Sequence, residues 1–211
     1  ENISNTADTM SEWPAIAADG SGNVHVAWKD EVDGNAEILY RRWTAAGGWS
    51  STTNISNSNL YWSMNPAIAA DPSGNVHVVY EDWVSNNMIY YTRWNGTSWS
   101  TPAPISNPAG DSYFPSLAAD SSGNVHAVWN DYRYGGGGEI VYRKWNGSSW
   151  NTGENVSANS SWSEMPSVAV DGAGDVHVVW TDGAGTNNSE ILYRKKSGGS
   201  WGSTVNLSNN E

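Results

Sequence analysis

The four histidines of the chain, His25, His77, His126 and His177, occupy the same place in a recurring G-[ND]-V-H segment and are 49 to 52 residues apart. Imidazole is a common zinc ligand, so four equivalent histidines raise the idea of a metal centre. Because each one belongs to a different repeat, four rings are not expected to converge to roughly 2 Å from one ion. We predict that each histidine packs and forms a hydrogen bond inside its own repeat, and we expect no metal centre.

An aspartate precedes each histidine by six residues and opens a loop that reads D-G-S-G-N, D-P-S-G-N, D-S-S-G-N or D-G-A-G-D. The alternating oxygens resemble half of a calcium loop, although the acidic twelfth ligand of an EF-hand is missing. An Asx turn that closes a hairpin, with glycine at a positive φ, explains the same residues. We favour the turn and leave calcium binding at Asp19, Asp71, Asp120 and Asp171 open.

Groups that could perform catalysis are present, but their arrangement does not favour it. The pairs Asp30 with Asp33 and Glu81 with Asp82 fall in predicted loops and are interpreted as solvated charge rather than a glycosidase pair. No serine has a plausible base if the histidines are used in packing. Cysteine is absent, which excludes thiol chemistry. We therefore predict that the chain is not an enzyme and needs no cofactor.

These residues recur because the chain contains four repeats that align on Pro14, Pro66, Pro115 and Pro166. Each repeat has four short β-branched or aromatic segments separated by Gly, Asn, Ser and Asp. Units of this kind predict an all-β fold, a β-propeller of four four-stranded antiparallel blades in a single domain over residues 1–211. The repeats span about 14–65, 66–114, 115–165 and 166–211, and residues 1–13 hold an extra fourth strand and a loop.

The extra strand complicates the ends of the predicted ring. Glu1–Ser4 matches the fourth-strand motif at Asn54–Ser56, Asn155–Ser157 and Asn206–Ser208, which makes seventeen strands for sixteen places. We favour a monomer whose ring closes within one chain, where the N-terminal strand could cover the edge of the last blade. A piece of a longer array, or subunits that share strands in a larger ring, remain alternatives.

The motif D-x-S-G-N-V-H-V-x-W followed by E-I-x-Y-R resembles the repeats of sialidase-like propellers, related to the BNR or Asp-box type, on microbial surface proteins. The segments Trp94–Trp99 (WNGTSW) and Trp145–Trp150 (WNGSSW) are similar to blade motifs of propeller lectins. The box departs from the usual order, because Asp19 precedes Ser21. The resemblance implies the fold, whereas propellers host many unrelated functions.

A catalytic member of that family would imply arginines near the axis that hold a substrate carboxylate, a Tyr and Glu nucleophile pair and an acidic Asp. The arginines of this chain fall elsewhere. Those on the predicted third strands are Arg41, Arg42, Arg93, Arg143 and Arg194, and Arg133 lies in a loop. A sialidase-like glycosidase is therefore the third interpretation.

The loops of an antiparallel blade alternate between two faces of the ring. One face carries the D-x-S-G-N loops and repeats itself; we call it the repetitive face. The other holds the second loop of each blade and the loops between blades, which vary and are rich in aromatic and acidic residues; we call it the variable face. Aromatic rings and carboxylates suit sugars, so this face is the expected binding face. The candidate ligand-binding residues are Trp13, Asp30, Trp62, Asp82, Trp83, Tyr113, Asp131, Tyr132, Trp162 and Asp182.

Two further expectations concern this face. About half of its aromatic residues are expected to fill gaps between blades. The recurring glutamates Glu37, Glu139 and Glu190 are each four residues before an arginine and are interpreted as cross-strand charge pairs, with sugar pockets between blades as the alternative.

The net charge of −12 and a pI near 4.5 exclude nucleic acid as a partner. No run of 18 apolar residues exists, so no membrane insertion is expected, and Glu1 is interpreted as a mature or trimmed start. We predict a non-catalytic carbohydrate-binding or adhesive module of an extracellular or cell-surface protein, with a glycan as partner. The main alternative is a structural repeat module, or an engineered propeller fragment, without a ligand of its own.

Overall fold

The computed structural model describes residues 1–6, 9–58, 60–134, 137–183 and 188–209. The chain forms four antiparallel sheets, one for each repeat, which confirms the predicted blades. Blade 1 contains β1 (Glu12–Ala18), β2 (Val24–Val32), β3 (Asn35–Thr44), β4 (Gly48–Trp49) and β5 (Thr53–Asn54). Blade 2 contains β6 (Ser63–Ala70), β7 (Val76–Trp83), β8 (Asn87–Trp94) and β9 (Ala103–Pro104). Blade 3 contains β10 (Ser112–Ala119), β11 (Val125–Asp131), a 3-10 helix (Tyr132–Tyr134), β12 (Glu139–Trp145) and β13 (Glu154–Asn155). Blade 4 contains β14 (Ser163–Val170), β15 (Val176–Asp182), β16 (Glu190–Ser197), β17 (Ser200–Trp201) and β18 (Val205–Asn206). Within the described ranges there is no helix with the length and hydropathy that a membrane crossing requires.

The blades pack face to face in chain order, and the first strand of each lies innermost against the first strand of the next. At the joint between blades 1 and 2, Ile38 and Tyr40 pack against Ile68, Val78 and Tyr80. Small side chains on the inner strands allow this close approach, as the sequence predicts. Equivalent apolar clusters form at the next two joints.

Each histidine is held inside its own blade, which confirms the packing prediction. The Nδ1 atom of His77 lies 2.8 Å from the Tyr91 hydroxyl, and its Nε2 atom lies 3.3 Å from the Asp71 carboxylate. Burial lowers the pKa of His77 to about 4, although the Asp71 carboxylate opposes the shift. The same contacts surround His25, His126 and His177.

The aspartate loops are Asx turns. The Oδ1 atom of Asp71 accepts the backbone N–H groups of Ser73 and Asn75, each at 2.9 Å, and Gly74 has a φ of 80°. Oδ2 accepts from the side chain of Asn75 at 2.6 Å. Both oxygens of the carboxylate are thus used by the turn itself, and the other three loops share the arrangement at their Oδ1 atoms.

The predicted cross-strand charge pairs are wrong for Glu37 and Glu139, because the residues opposite them on the second strand are the aspartates Asp30 and Asp131. The arginines that follow four residues later on the same strand are about 13 Å away, too far for an ion pair. The Glu37 carboxylate instead accepts the Ser56 hydroxyl and the backbone N–H of Ser58, the latter at 3.0 Å. Arg41 donates from Nε to the carbonyl of Ser50 at 2.7 Å. The same hydroxyl contact joins Ser157 to Glu139 and Ser208 to Glu190.

The N-terminal motif does not complete the last blade. Blade 4 has its own fourth strand, β18, which pairs with β16, whereas residues 1–4 pair into no sheet. Ile3 packs against blade 1 beside Val26 and Trp28. Closure of the ring within one chain is not confirmed, because the end faces remain open: Ile16 on blade 1 is 70% exposed and Ile191 on blade 4 is 41% exposed.

Candidate ligand-binding face

The four candidate aspartates occupy equivalent positions at one end of the blades. Each lies at or near the end of the second strand: Asp82 lies opposite Ser63 and Asp182 lies opposite Ser163, the first residues of their inner strands. Asp30, Asp82, Asp131 and Asp182 are all buried, so they lie beneath the variable face rather than on it. The sequence expectation that Glu81 and Asp82 are solvated loop charges is wrong, as it is for Asp30, because all three lie within strands.

In blades 1 and 4 the aspartate ties the adjoining loop to the blade. The Oδ2 atom of Asp182 accepts from Ser163 Oγ at 2.9 Å, from Trp180 Nε1 at 3.0 Å and from Asn159 Nδ2 at 2.7 Å. Asp30 accepts from Ser11 and Trp28 in the same way. These carboxylates hold the loops of the variable face through charge-assisted hydrogen bonds.

Blade 2 departs from this pattern. Tyr80 takes the place of the tryptophan, and among the residues that the structure describes, the Tyr80 hydroxyl, Asp82 Oδ1 and Ser63 Oγ are buried without a hydrogen-bond partner. Burial, with the charge of Glu37 as a smaller cause, raises the pKa of Asp82 to about 7. Asp82 is therefore a carboxyl group that exchanges a proton near neutral pH.

Two exposed tryptophans lie beside Asp82. Trp62 and Trp83 are 55% and 56% exposed, and their ring centroids are 6.5 Å apart in an edge-to-face arrangement. The backbone N–H of Trp83 donates to the carbonyl of Trp62 at 3.1 Å, which joins the two main-chain segments that carry the rings. Together with Leu60, Tyr61 and Val84 they line a cavity of about 350 Å³. We call Trp62 and Trp83 the tryptophan platform.

A second aromatic group lies on blade 3. The ring of Tyr113 is 6.2 Å from that of Phe114 and 5.7 Å from that of Tyr132, between centroids. Tyr113 and Tyr132, two of the candidate residues, are thus brought together. Asp131 lies beneath them, accepting the backbone N–H of Arg133 at 3.1 Å.

Trp162 has the position of a plug between blades. A Cβ atom on Gly183 would lie 2.1 Å from Trp162 Nε1, and one on Gly137 would lie 2.4 Å from Trp162 Cβ. The indole therefore fills the space between the second loops of blades 3 and 4, where only glycine leaves room. The backbone N–H of Gly183 also donates to the Trp162 carbonyl at 2.9 Å.

A repeated backbone feature of the innermost strands was not predicted from the sequence. The residue before each recurring proline has a left-handed backbone, with φ between 47° and 54°, and a register shift follows in each inner strand. This conformation is uncommon outside glycine and is stored strain. The four residues differ in chemistry: Trp13, Asn65, Phe114 and Met165. The signal that could have found them is a variable residue before an unchanging proline.

Glu81 is a further residue that sequence reasoning did not place on this face. It is 2% exposed and accepts, each at 2.8 Å, the side-chain amide of Asn65, the backbone N–H of Phe114 and the side-chain amide of Asn87. Its equivalents in the other blades are Lys29, Asn130 and Thr181. Neighbouring residues on a strand point to opposite faces, so Glu81 and Asp82 serve different partners.

A scan against protein-family models finds no match, and a search of curated proteins finds none either. Solved structures do share the fold. The chain is similar to an alpha-L-arabinanase of Penicillium chrysogenum complexed with arabinobiose, with a TM-score of 0.69 and 16% identity over 95% of this chain and 68% of that one. It is also similar to an intramolecular trans-sialidase of Ruminococcus gnavus, with a TM-score of 0.68 and 10% identity over 95% and 71%. A Dyadobacter fermentans protein of unknown function has a TM-score of 0.67 and 13% identity over 94% and 69%.

Identities this low establish the fold alone, and the chain spans between 45% and 71% of the length of these and related neighbours. The likeness of the repeats to sialidase-like propellers is confirmed at that level. The expectation that the chain is not an enzyme is contradicted, because the neighbours whose names state an activity are enzymes, among them sialidases, an arabinanase and an ulvan lyase.

Proposed function

We propose that the variable face binds a carbohydrate and that the chain is the sugar-recognising part of a glycan-active propeller protein outside the cell. The observation that carries this proposal is the tryptophan platform, two half-exposed indoles in edge-to-face contact that line a cavity of about 350 Å³. Indole faces cover the apolar C–H side of a sugar ring, and polar groups at the edge orient its hydroxyls. The names of the structural neighbours agree with this substrate class.

The charge of the chain favours a neutral glycan over an acidic one. The net charge is −12, and Arg133 on the variable face lies 3.3 Å from the Asp131 carboxylate. An acidic sugar would meet a repulsive field, since the arginine is already paired with a buried carboxylate. The sugar that fits is a neutral pentose or hexose chain.

Glycoside cleavage at the same face is a second candidate, and Asp82 is the observation that favours it. Cleavage needs a carboxylic acid that stays protonated near the working pH and gives its proton to the leaving oxygen. Asp82 immediately precedes Trp83 of the platform, has a pKa of about 7, and its Oδ1 has no hydrogen-bond partner in the described part of the chain. No other aspartate in the described blades combines these features.

The test combines a binding and a cleavage assay with neutral oligosaccharides. Titration calorimetry should show that Trp62→Ala and Trp83→Ala each weaken binding by about 1–3 kcal/mol, as expected for loss of an aromatic anchor. Ser73→Ala on the repetitive face is the matched control and should bind like the unchanged chain. Release of reducing ends that is lost in Asp82→Asn would support cleavage. The proposal fails if no neutral glycan binds at millimolar concentration.

A further inference from the structure

Blades 1 and 4, at the two ends of the series, each expose one of the two surfaces that pack together wherever neighbouring blades meet. The back of a blade is the face toward the following blade. On the backs of blades 1 and 2, the residue after the fourth strand is buried: Ile55 is 4% exposed and Ile105 is 3% exposed. The equivalent Leu207 of blade 4 is 55% exposed. The back face of blade 4 is thus an exposed apolar surface, whereas the same surface on the preceding blades is covered by the next blade.

The front of blade 1 is the complementary surface. Ile16 is 70% exposed, whereas the equivalents Ile68 and Val168 are 8% exposed because the preceding blade covers them. Together with Trp43 and Trp49, Ile16 lines an apolar cavity of about 630 Å³. This cavity is the socket into which the back of a preceding blade would fit.

A tyrosine and a tryptophan meet edge to face at every internal joint. Tyr40 meets Trp99 at 4.8 Å between ring centroids, and the same contact joins Tyr91 to Trp150 at 5.1 Å. Tyr142 and Trp201 form the third pair at 5.3 Å. In the described blades, the equivalent tyrosine of blade 4 and the equivalent tryptophan of blade 1 have no such partner. These residues are Tyr193, on the back of blade 4, and Trp49, on the front of blade 1.

An arginine bridges two of the three joints, those between blades 2 and 3 and between blades 3 and 4, whereas blade 2 has Thr92 at the equivalent position. Arg143 donates from Nη1 to the carbonyl of Ile105, and Arg194 donates to that of Val156, both at 2.7 Å. In each case the carbonyl belongs to the fourth-strand motif of the preceding blade. Arg41 of blade 1 makes this bond at 2.8 Å to Ile3. The N-terminal segment therefore occupies the place of a preceding blade's fourth strand.

We propose that the back of blade 4 docks on the front of blade 1 of a second copy, and that two copies close one eight-bladed ring through two such joints. Leu207 and Tyr193 then cover Ile16 and Trp49 of the other copy. The Leu207 carbonyl takes over the bond from Arg41, and residues 1–4 are displaced. Displacing residues 1–4 costs less free energy than displacing β18, because β18 is paired with β16 whereas residues 1–4 are in no sheet.

Geometry and charge set the expected behaviour. A head-to-tail interface must close into a ring or grow into a filament, and propellers hold roughly four to eight blades, so two copies complete a ring. Each copy has a net charge of −12, so added salt should strengthen the association by screening this repulsion.

The test is the mass of the 211-residue chain by sedimentation velocity over a wide concentration range. We expect a dimer that Ile16→Asp and Leu207→Asp each weaken at least tenfold, while Thr97→Asp, an exposed site in a turn of blade 2, leaves it unchanged. Far-ultraviolet circular dichroism confirms that the variants fold. A monomer at every concentration, or a ladder of larger species, would overturn the closed dimer.

Mixing the two variants separates this joint from a symmetric contact. Ile16→Asp keeps an intact back face and Leu207→Asp keeps an intact front face, so the mixture should form a dimer through one sound joint. If the same face of two copies formed the contact instead, mixing the two variants would not restore the dimer. Ile3→Asp should strengthen dimerisation by loosening the segment that occupies the socket, and weakening there would contradict the proposed displacement.

Discussion

The carboxylate of Glu81 accepts the backbone N–H of Phe114 at 2.8 Å across the joint between blades 2 and 3. Phe114 has a φ of 54°, so the bond holds a strained residue of the variable face. Because Glu81 also binds the side chain of Asn65 on its own blade, one buried carboxylate sets the positions of two innermost residues. The arrangement is particular to blade 2, since the equivalent residues are not acidic.

Removal of this carboxylate should destabilise the protein. Glu81→Ala leaves three donors without their acceptor, and we expect the free energy of unfolding to fall by about 2–3 kcal/mol in urea denaturation. Glu81→Gln should cost less, because one oxygen still accepts. Thr181→Ala, at the equivalent place in blade 4, is the matched control and should change stability by less than about 1 kcal/mol. Equal costs at both positions would contradict the bridging role.

Asp82 should make stability depend on pH in a distinctive direction. Its pKa is about 7 in the folded chain and near 3.8 when unfolded, so the folded state holds the extra proton between these values. The stability that protonated Asp82 contributes to the folded chain is complete below pH 4 and is lost as the pH rises to about 7. Asp82→Asn should therefore be stabilising relative to the unchanged chain by about 1–3 kcal/mol at pH 8 and much less so at pH 4.

The control for Asp82 is Asp182→Asn. That carboxylate accepts three hydrogen bonds, so its loss should destabilise the chain at pH 8. Denaturation at pH 4, 6 and 8 compares the two variants. A lower stability of Asp82→Asn at pH 8 would show that the carboxylate is well solvated in the folded chain.

His77 should produce the opposite pH dependence. Burial lowers its pKa to about 4 from an unfolded value near 6.5, so the unfolded chain takes up the proton first on acidification. The stability that neutral His77 contributes is present above pH 6.5 and is lost as the pH falls toward 4. We expect His77→Ala to cost about 1–3 kcal/mol at pH 7.5 and less at pH 5.

His177 offers a matched comparison for His77. It makes the same two contacts, but its side chain is 30% exposed, so His177→Ala should cost less at pH 7.5. Thermal unfolding of both variants at two pH values tests the difference. Identical losses would mean that burial does not set the contribution of these histidines.

Trp162 should behave as a structural residue. Trp162→Ala leaves a gap between Gly137 and Gly183, and we expect a loss of about 2–4 kcal/mol in unfolding free energy. Trp62→Ala, which removes a half-exposed ring, should change stability by no more than about 0.5 kcal/mol. Trp162→Ala should leave the glycan affinity unchanged. A loss of affinity with unchanged stability would make Trp162 a ligand anchor instead.

The sequence by itself determined the repeats, the four-stranded blades, the Asx turns and the packing of the histidines. These features depend on residues within one hairpin: the aspartate and histidine of each turn are six residues apart, and their tyrosine partner lies on the next strand. The same motif occurs four times, so each copy supports the interpretation of the others. Local spacing and periodicity were sufficient because every partner lies close by in the chain.

Contacts between blades were decided only by the tertiary structure. Glu81 contacts Phe114 across 33 residues and Arg143 contacts Ile105 across 38, and no local spacing predicts such pairs. The burial of Asp82 and its raised pKa likewise depend on the neighbouring blade, which supplies Glu37, and on a tyrosine at the position where other blades have tryptophan. Desolvation and joint packing are properties of two blades together, so the sequence of one repeat cannot specify them.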